Sequence, residues 1–248
     1  MDFKAKIDFF GKSDRGLVRT CNEDAFAVRP DLNICLAADG MGGAAAGELA
    51  SRMFVESALK VFDAPGAVTA EDMEDRIKKA FYFANREILD HVKENPGHKG
   101  MGCTAELIAF TEEGFVLGHM GDSRAFRLRN GMLRQLTRDH SLVQEQVDQG
   151  VISPEEARHH AMRNIVLRAI GVDQEISLDL IRGTVRPGDH FLLCSDGLTD
   201  MVDETDIATV LLSGNSLPEK TVALIRMAKE NGGTDNITAV LALCGPVE

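Results

Sequence analysis

The sequence predicts an α+β fold, because strand-like segments come in blocks and helical segments come in pairs. At the N-terminus Phe3, Ala5, Ile7 and Phe9 alternate with polar residues, which is the period of a strand. Between residues 47 and 95 the apolar residues recur with a helical period, and short strand-like runs return after residue 103. Blocks of this kind are typical of α+β layers and not of a strictly alternating β/α fold.

The first block contains strand-like runs at residues 3–9, 25–28 and 32–38, the last two separated by the turn residues Pro30 and Asp31. A helix is predicted over residues 47–62. A second helix follows, and the Asn95-Pro96-Gly97 sequence ends it. Its apolar stripe consists of Met73, Ile77, Ala80, Phe81, Ala84 and Ile88.

The second block is rich in hairpins and is interrupted once. The predicted elements, in order, are strands at 103–110, 115–119, 125–128 and 132–136, an insert at 139–171, strands at 176–181 and 190–194, helices at about 203–212 and 217–230, and a strand at 237–243. Asn130-Gly131 is a strong hairpin signal. The insert is polar and carries a capping box that starts at Ser153, so we interpret it as a helical flap.

Length and composition limit the classes of protein that remain. The 248 residues, 44% of them hydrophobic, suffice for one large core, and no linker divides the chain, so a single domain over 1–248 is predicted. No run approaches the roughly 20 apolar residues of a membrane span. Five scattered cysteines are typical of a reducing cytoplasm, and a net charge of -12 disfavours nucleic acid or membrane as a partner.

Three aspartates stand where strands begin or end. Asp39 closes an apolar run before Gly40, Asp196 follows another strand, and Asp235 precedes the last one. Carboxylates held by strands can share a hard divalent cation, and oxygen ligands favour Mg²⁺ or Mn²⁺ over zinc. Taken alone, each Asp-Gly pair is ordinary turn chemistry, so the prediction rests on the joint pattern.

The chain resembles the metal-dependent protein phosphatases (PPM family, protein phosphatase type 2C) in their compact bacterial form. Six segments carry the resemblance in the order of the family: 16–24 (GLVRTCNED), 39–43 (DGMGG), 102–104 (GCT), 121–124 (GDSR), 195–198 (SDGL) and 235–236 (DN). The resemblance implies a four-layer α-β-β-α sandwich of two antiparallel sheets flanked by helices, with two metal ions at one end.

The resemblance also implies a role for each matching residue. Asp39 would bridge both ions, and Asp196 and Asp235 would complete the first site. In the second site the Gly40 carbonyl would be a ligand. Two further acids, Glu23 and Asp24, would act mostly through bound water. Of the remaining positions, Arg19 matches the arginine that grips the phosphate, and Asp122 matches a ligand of a weaker third ion.

Physical chemistry supports this assignment. Two cations about 3.5 to 4 Å apart lower the pKa of a bridging water and clamp an in-line displacement at phosphorus. The guanidinium of Arg19 would add a bidentate phosphate contact that lysine cannot make. The predicted function is hydrolysis of phosphoserine and phosphothreonine in proteins. By analogy with the family, the protein is expected to oppose a eukaryotic-like Ser/Thr kinase, and a monomer is expected.

Other functions remain open at this stage. Residues 40–45 satisfy a dinucleotide fingerprint, but a second helix follows instead of the parallel strand that a Rossmann unit needs. The Cys-x5-Arg loop of cysteine phosphatases is missing. A pseudophosphatase or scaffold that binds phosphoproteins is the non-enzymatic alternative, although no core acid is lost.

Several single residues have ordinary interpretations. Arg19 taken alone is a solvated charge, and Asp122 could merely shape a turn. His140, His159 and His160 are interpreted as solvated residues of the insert. Met41 stands where many eukaryotic relatives have a histidine that protonates the leaving group, so the proton donor is unassigned.

Overall fold

The computed structural model describes residues 5–42, 46–63 and 69–247, and it consists of two antiparallel sheets between pairs of helices. The strands are Ala5–Asp14 (β1), Asp24–Arg29 (β2), Ile34–Met41 (β3), Gly102–Cys103 (β4), Ala105–Thr111 (β5), Gly114–Met120 (β6), Arg124–Arg129 (β7), Met132–Gln135 (β8), Asp179–Gly183 (β9), His190–Cys194 (β10) and Ile237–Val247 (β11). The α-helices are Ala46–Phe62 (α1), Ala70–Glu94 (α2), Leu142–Asp148 (α3), Pro154–Arg158 (α4), Asp196–Thr199 (α5), Glu204–Leu212 (α6) and Leu217–Glu230 (α7).

The two sheets face each other across an apolar layer. One sheet has the strand order β1-β11-β10-β7-β8, and the other has the order β2-β3-β5-β6-β9, with β4 paired to β3. Phe191 is central to this layer, because its ring lies 5.2 Å from that of Phe110 and 5.1 Å from that of Phe115. Alternate strand residues point into the layer, which is why the sequence shows a period of two.

The outer faces of the two sheets are covered by helices. On one side α1 and α2 bury Phe54, Ile77 and Phe81 against β3 and its neighbours, and on the other α6 and α7 bury Ile207 and Leu224. The layers therefore run helix, sheet, sheet, helix, and the predicted α+β sandwich is confirmed. None of the helices in the described ranges has both the length and the hydropathy to cross a membrane.

Element boundaries differ from the predicted ones in a few places. Only Asp179–Gly183 pairs with β6, whereas a strand was predicted at 176–181, because Ile176 and Leu178 pack against the α1/α2 side without joining the ladder. The short helix α5 was not predicted. The start of the predicted first strand, including Phe3, lies outside the described residues.

Residues 139–171, the predicted flap, contain only two short helices, α3 and α4. The segment is joined to the rest of the fold through isolated bridges between Cys103 and Ile170 and, internally, between Ser141 and Val166. It is therefore less helical than its composition suggested. The assignment of one domain with an inserted flap stays a prediction.

Candidate active site at one end of the sandwich

The strand register brings the predicted acids to one end of the sandwich. Asp24 opens β2 and lies directly opposite Asp39 near the end of β3. Asp196 follows β10, and Asp235 precedes β11, which is antiparallel to β10. Asp122 lies in the turn between β6 and β7, where Arg124 pairs with Cys194. Five acids that are far apart in sequence thus belong to adjacent strand ends.

Asp24 is buried and held by hydroxyl groups. Its Oδ2 accepts hydrogen bonds from Ser195 Oγ and Thr238 Oγ1, both at 2.7 Å. Its Oδ1 is buried with no hydrogen-bond partner. Burial and the charge of Asp235 raise the pKa of Asp24 to about 6, although the two hydroxyl donors oppose the shift.

Asp39 is fixed through its backbone. Its amide donates to Thr104 Oγ1 at 3.0 Å and its carbonyl accepts from the Thr104 amide at 2.9 Å. The Thr104 hydroxyl also contacts Ser123 Oγ at 2.7 Å. Burial, followed by the charges of other acids with Asp24 foremost, raises the pKa of Asp39 well above its ordinary value. The carboxyl group is therefore rigidly placed where negative charge accumulates.

Asp196 has the same electrostatic character. Its Oδ1 is buried without a partner. Burial raises its pKa well above the ordinary value, and the charges of Asp122, Asp200 and Asp235 add to that effect. Because α5 starts at Asp196, Asp200 follows one helical turn later and donates its amide to the Asp196 carbonyl at 2.7 Å. Asp200 was not among the predicted site residues, since that helical turn was not predicted.

Asp122 is buried and lies beside the ion pair formed by Arg124 and Asp139. Burial and the charge of Asp139 raise its pKa to about 6, and Arg124 opposes the shift. Asp139 is itself held by Arg124, whose Nη2 lies 2.6 Å from Asp139 Oδ2, and by Gln135 at 2.8 Å. Nothing local in the sequence marked Asp139, because its link to Asp122 depends on the contact between β7 and the start of the insert.

Glu23 and Gly40 lie side by side. The Gly40 amide donates to the Glu23 carbonyl at 3.1 Å. Both pack against Gly47 of α1: a Cβ on Gly47 would lie 2.8 Å from Gly40 O and 2.9 Å from Glu23 Cδ. Only glycine permits this approach, so the helix start brings a carboxylate and a carbonyl oxygen to the same place. Ser51 Oγ also donates to the Glu23 carbonyl, at 2.6 Å.

Arg19 lies at the rim of the acidic group and contacts one of its members. Its Nη2 is 2.6 Å from Asp235 Oδ2, and the side chains of Arg19 and Asp235 are 47% and 28% exposed. The hydrogen bond to Asp235 raises the pKa of Arg19, and the charges of Glu23 and Asp39 contribute. Arg19 is thus directed at the acids and is not a freely solvated charge.

Asn236 fixes the loop that carries Arg19. Its Nδ2 donates to the carbonyls of Arg15 and Cys21 at 3.0 and 2.9 Å, and its Oδ1 accepts from the Glu23 amide at 2.8 Å. One side chain therefore joins β11 to both ends of the loop. This role of Asn236 explains why asparagine follows Asp235.

The residues fit an oxygen-ligated divalent cation. Asp24 and Asp196 each have a buried, unpartnered carboxylate oxygen, and the acids raise one another's pKa. Positive charge would relieve both costs, and hard cations prefer such oxygens. Within residues 5–42, 46–63 and 69–247, however, no three acidic, histidine or cysteine side chains already surround a common point at ligand distance.

The prediction that His140 is solvated was wrong. His140 is buried, its amide donates to the Gly121 carbonyl at 2.7 Å, and its Nδ1 accepts from the Gly121 amide at 3.2 Å. Burial, aided by the positive charges of His119 and Arg168, lowers its pKa to about 4. The ring is therefore a neutral acceptor that ties the start of the insert to the turn carrying Asp122. His159 is exposed, as expected.

A two-sheet sandwich with helices outside and carboxylates gathered at one end defines a class of metal-dependent phosphatases. Residues 16–242 match the protein phosphatase 2C family, and the chain belongs to that family. A similar protein is the serine/threonine phosphatase Stp of Listeria monocytogenes, which is 39% identical over 234 residues, 93% of each chain.

Solved structures agree with this family membership. The serine/threonine phosphatase PstP/Ppp of Mycobacterium tuberculosis superposes with a TM-score of 0.90 and 38% identity, covering 97% of this chain and 99% of that one. The catalytic domain of PstP in complex with two manganese ions gives a TM-score of 0.88 at 36% identity, covering 98% of this chain and all of that domain.

Proposed function

We propose that this chain is a metal-dependent protein phosphatase that hydrolyses phosphoserine and phosphothreonine monoesters in proteins. The observation that carries the proposal is the group of strand-end acids Asp24, Asp39, Asp196 and Asp235. Burial and the charges of neighbouring acids raise the pKa of Asp24, Asp39 and Asp196, and Asp24 and Asp196 each keep a buried oxygen without a partner. The similar proteins named as serine/threonine phosphatases support the substrate class. No observation favours a pseudophosphatase, since every predicted core acid is present.

The acids would hold two divalent cations, Mn²⁺ or Mg²⁺. Asp39 would bridge them, Asp196 and Asp235 would serve the first, and the Gly40 carbonyl the second. Glu23 and Asp24 would act mostly through water, which suits an Asp24 carboxylate already engaged by two hydroxyls. When bound, the cations supply an activated water and neutralise charge on the phosphoryl group. The two manganese ions of the PstP catalytic domain support this number.

Arg19 would grip the phosphate. Its guanidinium is half-exposed at the rim and now donates to Asp235. A phosphate monoester dianion has three terminal oxygens and two negative charges, whereas the Asp235 carboxylate has two oxygens and one charge, so a bound substrate competes well for the guanidinium group. Arg19 would therefore orient the phosphoryl group beside the acids and stabilise the charge that develops there.

The residues around Asp122 would form an outer part of the site. We propose that Asp122 binds a weaker third cation, because it is buried and its pKa is raised to about 6 by burial and the charge of Asp139. Residues 139–171 would act as a flap whose position depends on the Gly121 to His140 contacts. Met41 cannot donate a proton, so water would protonate the leaving alkoxide.

The biological setting is proposed from the analogy with the family and from the scattered cysteines. We propose phosphorylated proteins as substrates, including a Ser/Thr kinase and its targets, and a monomer acting in the cytoplasm. The net charge of -12 disfavours nucleic acid as a partner, because the phosphate backbone is also negatively charged.

A direct assay tests the proposed activity. The chelated protein should hydrolyse p-nitrophenyl phosphate and phosphothreonine peptides only after Mn²⁺ or Mg²⁺ is restored. Asp39→Asn should abolish turnover, because Asp39 is the proposed ligand of both cations and is surrounded by other acids. Asp31→Asn is a matched control, since Asp31 is exposed and pairs only with Arg29 in its turn. Equal rates with and without metal would refute the metal-dependent mechanism.

A further inference from the structure

A second charged feature lies away from the acids, at the edge of the sandwich where β8 and β9 are the last strands of their sheets. It contains four arginines: Arg127 and Arg129 of β7, Arg134 of β8, and Arg186 in the connection between β9 and β10. We refer to these four residues as the edge arginine cluster. Such a concentration of positive charge is unexpected in a chain with a net charge of -12.

The strand register forces two of these charges together. Arg127 and Arg134 are direct cross-strand partners in the β7/β8 ladder, so their side chains share one face of the sheet. Like charges in this arrangement repel each other, and Arg129, Arg134 and Arg186 all lower the pKa of Arg127, after burial as the largest cause. The fold therefore maintains a repulsive arrangement at this edge.

The carboxylate within the cluster is already committed. Asp189 is 1% exposed and accepts from Arg129 Nε at 2.8 Å and from Arg129 Nη2 at 2.6 Å. Its Oδ2 also accepts from the Arg186 amide at 2.8 Å. Arg129 Nη2 further donates to the Thr184 carbonyl at 2.7 Å, which fixes the connection that carries Arg186. Asp189 thus neutralises Arg129 and leaves the other arginines uncompensated.

Three guanidinium groups remain without an acceptor. Among the described residues, Arg127, Arg134 and Arg186 form no ion pair and donate no side-chain hydrogen bond within the protein. The Nε of Arg127 is buried and has no partner. A buried donor of this kind is costly. Arg134 and Arg186 are exposed and Arg127 is partly exposed, so an external anion can approach the cluster from solvent.

We infer that the edge arginine cluster is a second phosphate-binding site, which takes a phosphate monoester dianion through Arg127, Arg134 and Arg186. A dianion with three terminal oxygens matches three planar donors better than a carboxylate, which has one charge and two oxygens. Nucleic acid is a poor candidate, because it requires an extended basic face and the chain carries a net charge of -12.

The location suits a second phosphorylated side chain on the same substrate. The Arg127 backbone lies three residues further along β7 than that of Arg124, which borders the acidic end, and this corresponds to about 10 Å along the strand. Because the separation is odd, the two side chains point to opposite faces of the sheet, and a bound peptide would pass around the β8 edge between them. The inference that the bound phosphate belongs to a protein substrate rests on the proposed phosphatase function, whereas binding of free phosphate to the cluster does not.

Nuclear magnetic resonance tests binding without reference to catalysis. In Mg²⁺-loaded protein, the Arg127 Nε–H signal, assigned by its loss in Arg127→Lys, should shift on titration with inorganic phosphate. Sodium chloride of equal ionic strength should not shift it, and Arg134→Gln should weaken the response about ten-fold, as expected for one lost charge-assisted bond. A missing shift, or an equal shift with chloride, would overturn the inference.

Kinetics then identify the source of the phosphate. Peptides carrying one phosphothreonine are compared with peptides that also carry a non-hydrolysable phosphonate three to eight residues away. We expect about a ten-fold lower KM for the second kind at the best spacing, lost in Arg127→Gln and Arg134→Gln but kept in the control Arg226→Gln, whose side chain is exposed on α7. Turnover of p-nitrophenyl phosphate should be unchanged in all variants.

Each kinetic outcome has one meaning. A spacing-dependent decrease in KM that requires the edge arginine cluster means that the site binds a second phosphate on a phosphoprotein. A shift of the Arg127 signal by inorganic phosphate without any gain for the doubly modified peptides means that the site takes free phosphate. A gain that survives both glutamine variants would show that another surface recognises the second phosphate and would overturn the assignment to the cluster.

Discussion

Arg19 can act in two ways, through its ion pair with Asp235 or through a contact with the substrate phosphate. The two roles predict free-energy effects of different size when Arg19 is replaced. In the structure Arg19 Nη2 lies 2.6 Å from Asp235 Oδ2, with the two side chains 47% and 28% exposed. An ion pair with this exposure is screened by solvent and contributes at most about 1 kcal/mol. Arg19→Ala should therefore change the free energy of unfolding by less than about 1 kcal/mol. It should leave the thermal shift induced by Mn²⁺ in place or increase it slightly.

The effect on catalysis should be much larger. A lost charge-assisted hydrogen bond to phosphate corresponds to about 1.5 to 3 kcal/mol, or roughly ten- to hundred-fold in kcat/KM. The assay is steady-state hydrolysis of a phosphothreonine peptide in saturating Mn²⁺. Arg19→Lys should recover part of the loss, because it restores the charge but not the fork.

A neighbouring arginine supplies the control. Arg15 belongs to the same loop and donates only to the Thr20 carbonyl, at 3.3 Å, so Arg15→Ala should behave like the wild type. If Arg19→Ala retained full kcat/KM, Arg19 would be a surface charge and phosphate would be held elsewhere. If the thermal shift disappeared as well, Arg19 would be required for the fold of the site and not for phosphate alone.

Three further predictions concern the acids and their supports. In the chelated protein the pKa of Asp24 is raised to about 6, against an ordinary 3.8, so the folded state favours the protonated form. The free energy of unfolding should therefore decrease as the pH rises from about 4 to about 6, and it should decrease less in Asp24→Asn. Thr238→Val removes a donor to Asp24 and should weaken Mn²⁺ binding about ten-fold or more, by calorimetric titration. Asp122→Ala should keep most of the Mn²⁺ thermal shift but lose turnover on phosphopeptides. Wild-type turnover across a Mn²⁺ titration would reduce Asp122 to a turn residue.

Local patterns in the sequence were sufficient to predict the layers of the fold and the positions of the acids at strand ends. An apolar run that stops at an aspartate followed by glycine is visible without knowing any partner strand, and it led to Asp39 and Asp196. The α+β layers, the helix pairs and the hairpin at Asn130-Gly131 likewise depend on periodicity and turn chemistry, whereas the arrangement in two antiparallel sheets was implied by the family resemblance. These features were confirmed because neighbours in the chain determine them.

Contacts between distant segments could not be derived in this way. Thr238 supports Asp24 across a separation of 214 residues, and no local signal marks a hydroxyl for that task. Asp200 becomes a neighbour of Asp196 only through the short helix α5. His140 has polar neighbours in the sequence, yet it is buried and hydrogen-bonded to the Gly121 backbone. The end of the β9 ladder was similarly set by its partner β6 and not by its own alternation.

A thermal titration with Mn²⁺ tests most directly whether the strand-end acids form a shared cation site. At 100 times its dissociation constant one bound ion adds about 2.7 kcal/mol, which corresponds to an increase in Tm of about 5 to 10 °C for a chain of this length. We expect this increase in the chelated wild type and in the control Asp31→Asn. Asp39→Asn should lose most of it while melting higher than wild type without metal, because one repelling charge is gone. An unchanged Tm of the wild type in saturating Mn²⁺, or an equal increase in Asp39→Asn, would contradict the shared site.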